Sequence, residues 1–261
     1  REECATIIKQ SHEIGYEEAL VNVGGGIQVR MDDVRNNTRC MVDDIALADE
    51  LMRRLRDHIP AEWPPRDRRA RGTSGGDGED GRVTGAEEGK VSTGWRKRKE
   101  AARAAVPVED VVEINERFRI LRYTPGQEFK AHRDGCYVRD RYAVVGSGRG
   151  EVGDVSRVTL HVYLNDGVGE GAEYEGGTTR FLDWGTVGDP DSPEHRDVLA
   201  EAGMCLVFEH PILHQGSVVT RGIKYTVRTD VMYRRRGAGG GKVAAAGCVG
   251  GGAGGGVDAD D

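Results

Sequence analysis

At 261 residues, the chain has room for one large domain, or for one domain with unpacked extensions. Hydrophobic residues make up 37% of it beside 39 glycines, so part of the chain is short of the apolar side chains a core needs. A net charge of −7 removes any global case for nucleic-acid binding, and no apolar run approaches the ~20 residues that span a bilayer.

Residues 3–15 (ECATIIKQSHEIG) predict a short helix ending at Gly15, residues 19–23 a strand, and Gly24 to Gly26 a turn. A second helix is better marked. Asp43 or Asp44 can cap it, and Ile45, Ala48, Met52, Leu55 and Ile59 share one face before Pro60, Pro64 and Pro65 end it. Residues 66–103 are glycine and charge with little to bury, which predicts a disordered insertion. Its basic ends, RDRRAR and WRKRK, read as solvated loop rather than a polyanion patch. Beyond it the chain is strand-rich, at 117–123, 157–165, 178–184, 204–210, 215–219 and 224–233, with Gly, Pro and Asp between the strands. The stretch 237–261 is a low-complexity Gly-rich tail. Helices first and many short strands after predict an α+β, mainly β fold. It is a jelly roll backed by N-terminal helices, one domain over 1–236 with its core at 108–233.

Five cysteines (Cys4, Cys40, Cys136, Cys205 and Cys248) form no C-x-x-C pair, against a zinc knuckle or a dense disulfide framework. Reduced thiols and the lack of a visible signal peptide favour the cytoplasm or nucleus, with an upstream segment before Arg1 left open.

Two H-x-D matches carry metal-ligand chemistry. His195-Arg196-Asp197 lies among Pro, Asp and Ser with no strand before it and reads as a loop or helical turn. His132-Arg133-Asp134 follows two predicted strands joined at Pro125-Gly126. On a strand, positions i and i+2 share a face, so the His132 imidazole and the Asp134 carboxylate can reach one ion. His214, at the start of a later strand, supplies the third ligand in preference to His210, which ends the strand before it. Two imidazoles and a carboxylate leave open positions on non-haem Fe(II). A 2-oxo acid such as 2-oxoglutarate fills two of them and dioxygen the last. Lys224 can meet its far carboxylate, and Tyr123 and Tyr163 can supply hydroxyls. His161 reads as a packed strand histidine, and His12 and His58 as ordinary helix positions.

The segments LRYTPGQEFKAHRDG, RVTLHVYLND, GGTTRFL and LVFEHPILHQGSVVTRGIKYTVRTDVMY together resemble the Fe(II)- and 2-oxoglutarate-dependent dioxygenases of the prolyl 4-hydroxylase type. The similarity covers 117–233 and extends loosely to EEALVNVGGGIQVRMDDVRNNTRCMVDD. It implies a double-stranded β-helix, with His132, Asp134 and His214 as iron ligands. Lys224 becomes the partner of the distal 2-oxoglutarate carboxylate, and Tyr123 and Tyr163 become further contacts. It also implies L-ascorbate as reductant and a peptidyl-proline substrate. Thr178 stands where the family often has Glu. Four alternatives stay open: a small-molecule oxygenase, a nucleic-acid oxygenase using the R-x5-R spacing of Arg228 and Arg234, a non-catalytic jelly-roll binding module, and a cupin-type metal-dependent enzyme without 2-oxoglutarate.

Overall fold

Strand alternation sorts this chain into an apolar side and a polar side, and the computed structural model shows where each goes. It describes residues 1–24, 27–65, 108–189 and 191–237. The expected insertion at 66–103 and the tail from residue 238 lie outside the described residues.

The chain begins with α1 (Glu2–Ile14), β1 (Glu17–Glu18), β2 (Val21–Gly24), β3 (Ile27–Val29), β4 (Thr38–Asp43), α2 (Ile45–Leu55) and β5 (Glu62–Trp63). Then come β6 (Glu109–Ile114), β7 (Arg117–Tyr123), β8 (Phe129–His132), α3 (Arg141–Ser147) and β9 (Val155–Tyr163). The last strands are β10 (Tyr174–Gly176), β11 (Thr179–Phe181), β12 (Arg196–Val198), β13 (Cys205–Glu209), β14 (His214–Gly216), β15 (Val219–Gly222) and β16 (Lys224–Arg235). Asp44 caps α2 as expected, its carboxylate accepting the Leu47 N–H at 2.9 Å.

All strand pairings described are antiparallel. β16 is the spine of the larger sheet. Its first residues pair with β7, its last with β6, and β9 runs along its other side and carries β13. The smaller sheet has the order β12-β11-β14-β8. Phe208 of β13 meets Phe181 of β11 at 5.3 Å and His214 of β14 at 4.7 Å between ring centroids, so the two sheets face each other. This is the jelly roll the sequence predicts.

Phe118, Ile120, Val158, Leu160, Tyr225 and Val227 project from β7, β9 and β16 to the outer face. There they pack against Cys4, Ile7 and Ile8 of α1 and Ala48, Leu51 and Met52 of α2. The alternate residues, Arg119, Leu121 and Tyr123 on β7, Thr159 and His161 on β9, and Lys224 and Arg228 on β16, turn inward and line a cavity between the sheets. Arg139, 1% exposed, donates to Glu116 at 2.9 Å and Glu113 at 2.7 Å. It ties the loop after β8 to the β6–β7 corner.

The structure adds elements the sequence did not announce. β4 and β6 flank the larger sheet, and α3 starts on a capping Asp140 at the cavity mouth. Residues 196–198, read as loop or helical turn, pair with β11 as β12. Among the described residues no helix is long and apolar enough to cross a membrane.

Phe118 is buried where the sheet meets the helices. Phe118→Ala is expected to lower the unfolding free energy by about 3–5 kcal/mol. Denaturant titration checks this, and a loss below ~1 kcal/mol contradicts the packing described.

Candidate metal centre

The antiparallel pairing of β14 with β8 makes His214 the cross-strand partner of His132, and their ring centroids lie 4.3 Å apart. Each ring is oriented through Nδ1. His132 Nδ1 is 2.7 Å from the Lys130 carbonyl and His214 Nδ1 is 2.9 Å from the Ile212 carbonyl. A carbonyl only accepts, so both Nδ1 atoms carry hydrogen and both Nε2 atoms keep a free lone pair. Those Nε2 atoms converge on Asp134, His132 at 3.9 Å from Oδ1 and His214 at 3.9 Å from Oδ2. One ligand atom from each residue lies within 4.8 Å of the others, and this is the only such group among the described residues.

Asp134 reaches that place by a route the sequence did not predict. β8 stops at His132, so Asp134 is not a strand residue. Its N–H donates to the His210 carbonyl at 3.0 Å, which folds the loop back beside β14. The carboxylate is then held from both sides. Thr159 Oγ1 donates to Oδ2 at 2.5 Å and Arg228 Nη2 lies 3.1 Å from Oδ1. Burial opposes the charge on Asp134, but the Arg228 guanidinium beside it outweighs that and holds the carboxyl well below its usual range. Burial pushes His132 well below the usual imidazole range, with His214 adding to the effect. It lowers His214 as well. The trio is therefore two neutral imidazoles and one carboxylate at neutral pH, the protonation state that a divalent metal requires.

The competing histidines lie outside the trio. His210 is buried, with Nε2 3.4 Å from Asp230 Oδ1, and its part in the site is the carbonyl that holds Asp134. In the second H-x-D, Asp197 pairs with Arg180 at 2.7 Å and accepts from Thr178 at 2.9 Å, while His195 faces Thr186. His12 bonds the Tyr225 hydroxyl, and His58 lies in a 3-10 turn.

Lys224 sits opposite Tyr123 in the β16–β7 register and is 2% exposed. Its Nζ donates to the Gly177 carbonyl at 2.6 Å and lies 5.5 and 5.4 Å from the centroids of the Tyr123 and Tyr163 rings. Tyr163 donates its hydroxyl to Thr179 at 2.7 Å. Among the described residues no carboxylate pairs with Lys224, and burial lowers its pKa to about 7. His132, Asp134, His214, Lys224 and Tyr123 all border one cavity of about 1140 Å³. An N₂O donor trio and a buried cation lacking a counter-charge, in one chamber, suit a divalent metal and an anionic ligand.

Several residues of the chamber escaped the sequence reading. His161 borders the cavity rather than packing in the core, and its Nε2 is buried without a hydrogen-bond partner. Thr159 and Asp230 were not singled out. Their signal was available in the alternation of β9 and β16, which places them on the same side as His161 and Lys224. Arg228 had been paired with Arg234 through spacing alone. The structure separates them across a register irregularity between Val231 and Met232. Arg228 serves Asp134 and Asp230, whereas Arg234 pairs with Asp154 at 2.8 Å and Glu151 at 2.6 Å.

Between pH 7 and 10, with no anion bound, folded Lys224 gives up the proton that the unfolded chain still holds. The unfolded state then binds more protons, so rising pH stabilises the fold through this residue. Wild type is expected to gain stability relative to Lys224→Met over that range, by no more than about 1.4 kcal/mol per pH unit. Chemical denaturation at stepped pH measures the two slopes, and parallel slopes contradict the buried, unpaired lysine.

Comparison with known proteins bears on the same segment. No curated protein matches the chain. Three solved structures similar to it are a viral collagen prolyl hydroxylase from Paramecium Bursaria Chlorella virus-1, a Pseudomonas putida prolyl-4-hydroxylase, and a Trichoplax adhaerens prolyl hydroxylase in complex with a hypoxia inducible factor peptide fragment. The first is 17% identical, with a TM-score of 0.43 over 88% of this chain and 89% of the other. The second is 16% identical, with 0.43 over 89% and 84%. The third is 11% identical, with 0.44 over 88% and 78%. Residues 118–229, the span that carries the metal trio and Lys224, match the 2OG-Fe(II) oxygenase superfamily model. Over that segment, which is less than half of its length, the chain is similar to the 2OG-Fe(II) oxygenases.

Proposed function

We propose that this chain is a dioxygenase that uses Fe(II) and 2-oxoglutarate to hydroxylate a C–H bond of a peptidyl proline, releasing succinate and CO2. The observation that carries the reading is the meeting of two free imidazole Nε2 atoms and one carboxylate in a chamber that also holds the acid-free cation Lys224. In this reading His132, Asp134 and His214 hold the iron and Lys224 takes the distal carboxylate of 2-oxoglutarate. Tyr123 and Tyr163 shape the pocket around that carboxylate. When bound, the iron with its 2-oxo acid and dioxygen supplies the oxidant.

The protein's own task is positional. Thr159 and Arg228 fix the Asp134 carboxylate, and the Lys130 and Ile212 carbonyls fix the ring orientations. The facing sheets restrict water around the reacting centre. Residues 1–236 act as one oxygenase domain in this account. The prolyl substrate rests on the sequence resemblance at LRYTPGQEFKAHRDG and its companion segments. With it come a peptide or protein partner and ascorbate as the reductant that keeps the iron ferrous.

Anaerobic addition of Fe(II) and 2-oxoglutarate is expected to give a weak visible charge-transfer band in wild type and none in His132→Ala. Removing one partner of a buried, hydrogen-bonded charge pair costs roughly 2–5 kcal/mol. Lys224→Ala should therefore raise the 2-oxoglutarate concentration for half-maximal band by about 30-fold or more. A band that persists in His132→Ala contradicts the ligand assignment. Succinate release across blocked proline peptides then tests the substrate.

A further inference from the structure

Charges bordering the cavity do not cancel. Its carboxylates are all engaged: Asp43 by Arg117, Glu116 by Arg139, Asp134 by Arg228 and Thr159, Asp140 by the Ala143 N–H, and Asp230 by Arg119 and Arg228. Among the described residues, three cations bordering the cavity have no acid: Arg133, which is exposed and lies 4.8 Å over the Trp184 ring, and two more buried ones. Lys224 is one of these, assigned above to 2-oxoglutarate, and Arg35 is the other.

Backbone pairing fixes Arg35 beside the metal trio. Arg35 forms an isolated antiparallel bridge with Phe129 of β8, and the Lys130 N–H donates to the Val34 carbonyl at 2.9 Å. The guanidinium carbon lies 4.5 Å from the centroid of the Phe129 ring, and that ring stacks on His132 at 3.5 Å. Arg35 uses Nε on Asn37 at 2.8 Å and one Nη1 hydrogen on the Leu20 carbonyl at 3.4 Å. Arg35 borders the cavity, and no acid is among its hydrogen-bond partners within the described residues. Burial lowers its pKa to about 10, which signals a cation short of counter-charge.

We propose that Arg35 is a specificity-determining residue that receives a carboxylate of the substrate next to the reacting carbon. A desolvated guanidinium stays stable when a planar anion meets its two-donor end, and a carboxylate has that shape. The chemistry has three sources: a free amino acid, a chain terminus, or a Glu or Asp side chain near the hydroxylated residue. This inference rests on the oxygenase reading of the cavity and narrows its substrate class.

The test uses the full chain with 2-oxoglutarate and Zn(II), a redox-inert and diamagnetic stand-in for Fe(II), and ligand-observed NMR titration. Three acids are matched with their amides: L-proline with L-prolinamide, N-acetylglycyl-L-proline with its amide, and a blocked proline pentapeptide carrying Glu with its Gln counterpart. At least one acid is expected to bind about tenfold or more tightly than its amide, and the pair that does so names the source. Arg35→Gln should abolish the difference and Arg35→Lys retain part of it. Equal responses from acid and amide in every pair, nil included, overturn the proposal, as does a difference that survives in Arg35→Gln. Arg35→Gln should keep the anaerobic Fe(II)/2-oxoglutarate band. Absence of that band from wild type would sink the oxygenase reading itself, whatever the acid–amide result.

Discussion

The hydrogen-bonded register between β8 and β14 sets His132 opposite His214, and the geometry of the centre follows from it. A slip of one residue on either strand would turn a histidine away from the cavity and leave no shared metal face. The loops at the two strand ends complete the arrangement. Asp134 is anchored to the His210 carbonyl just before β14, so its carboxylate is fixed by the chain segment that also delivers His214. The meeting of three side chains that are 82 residues apart in sequence at their widest thus depends on one short ladder and one backbone hydrogen bond.

The larger sheet divides its labour by parity. Its outer residues bury Phe118, Ile120, Leu160 and Val227 under α1 and α2, which supplies the apolar core. Its inner residues carry charge, with Arg228 bridging Asp134 and Asp230 while Arg119 and His210 close on Asp230. Buried charges of this kind are poor sources of stability, because their desolvation offsets the attraction. Their value here is orientation: the network allows Asp134 little freedom beside the two imidazoles. The helices carry the stability so that the inner face can stay polar.

Much of this was legible in the sequence, for physical reasons that differ by residue. His132, His214 and Lys224 stand on strands beside turn residues, so their inward direction could be read from period-two alternation, whereas Asp134 lies beyond the end of β8. The jelly roll followed from the same series of short strands. The cause of Asp134's placement was not legible, because a long-range bond to the His210 carbonyl has no local signature. His161, Thr159 and Asp230 look like ordinary strand residues until the neighbouring strands are in register. Arg35 sits outside any regular strand and becomes notable only through its bridge to Phe129. α3 was missed because RYAVVGS carries a cap but no apolar face long enough to announce a helix.

The central claim is that the side chains of 132, 134 and 214 share one ferrous ion. Anomalous diffraction at the iron edge, from crystals grown anaerobically with Fe(II), tests it most directly. The account predicts a single strong peak within bonding distance of Nε2 of His132, Nε2 of His214 and a carboxylate oxygen of Asp134. A peak bonded to the His210 ring, or one that lacks any of the three, would contradict it.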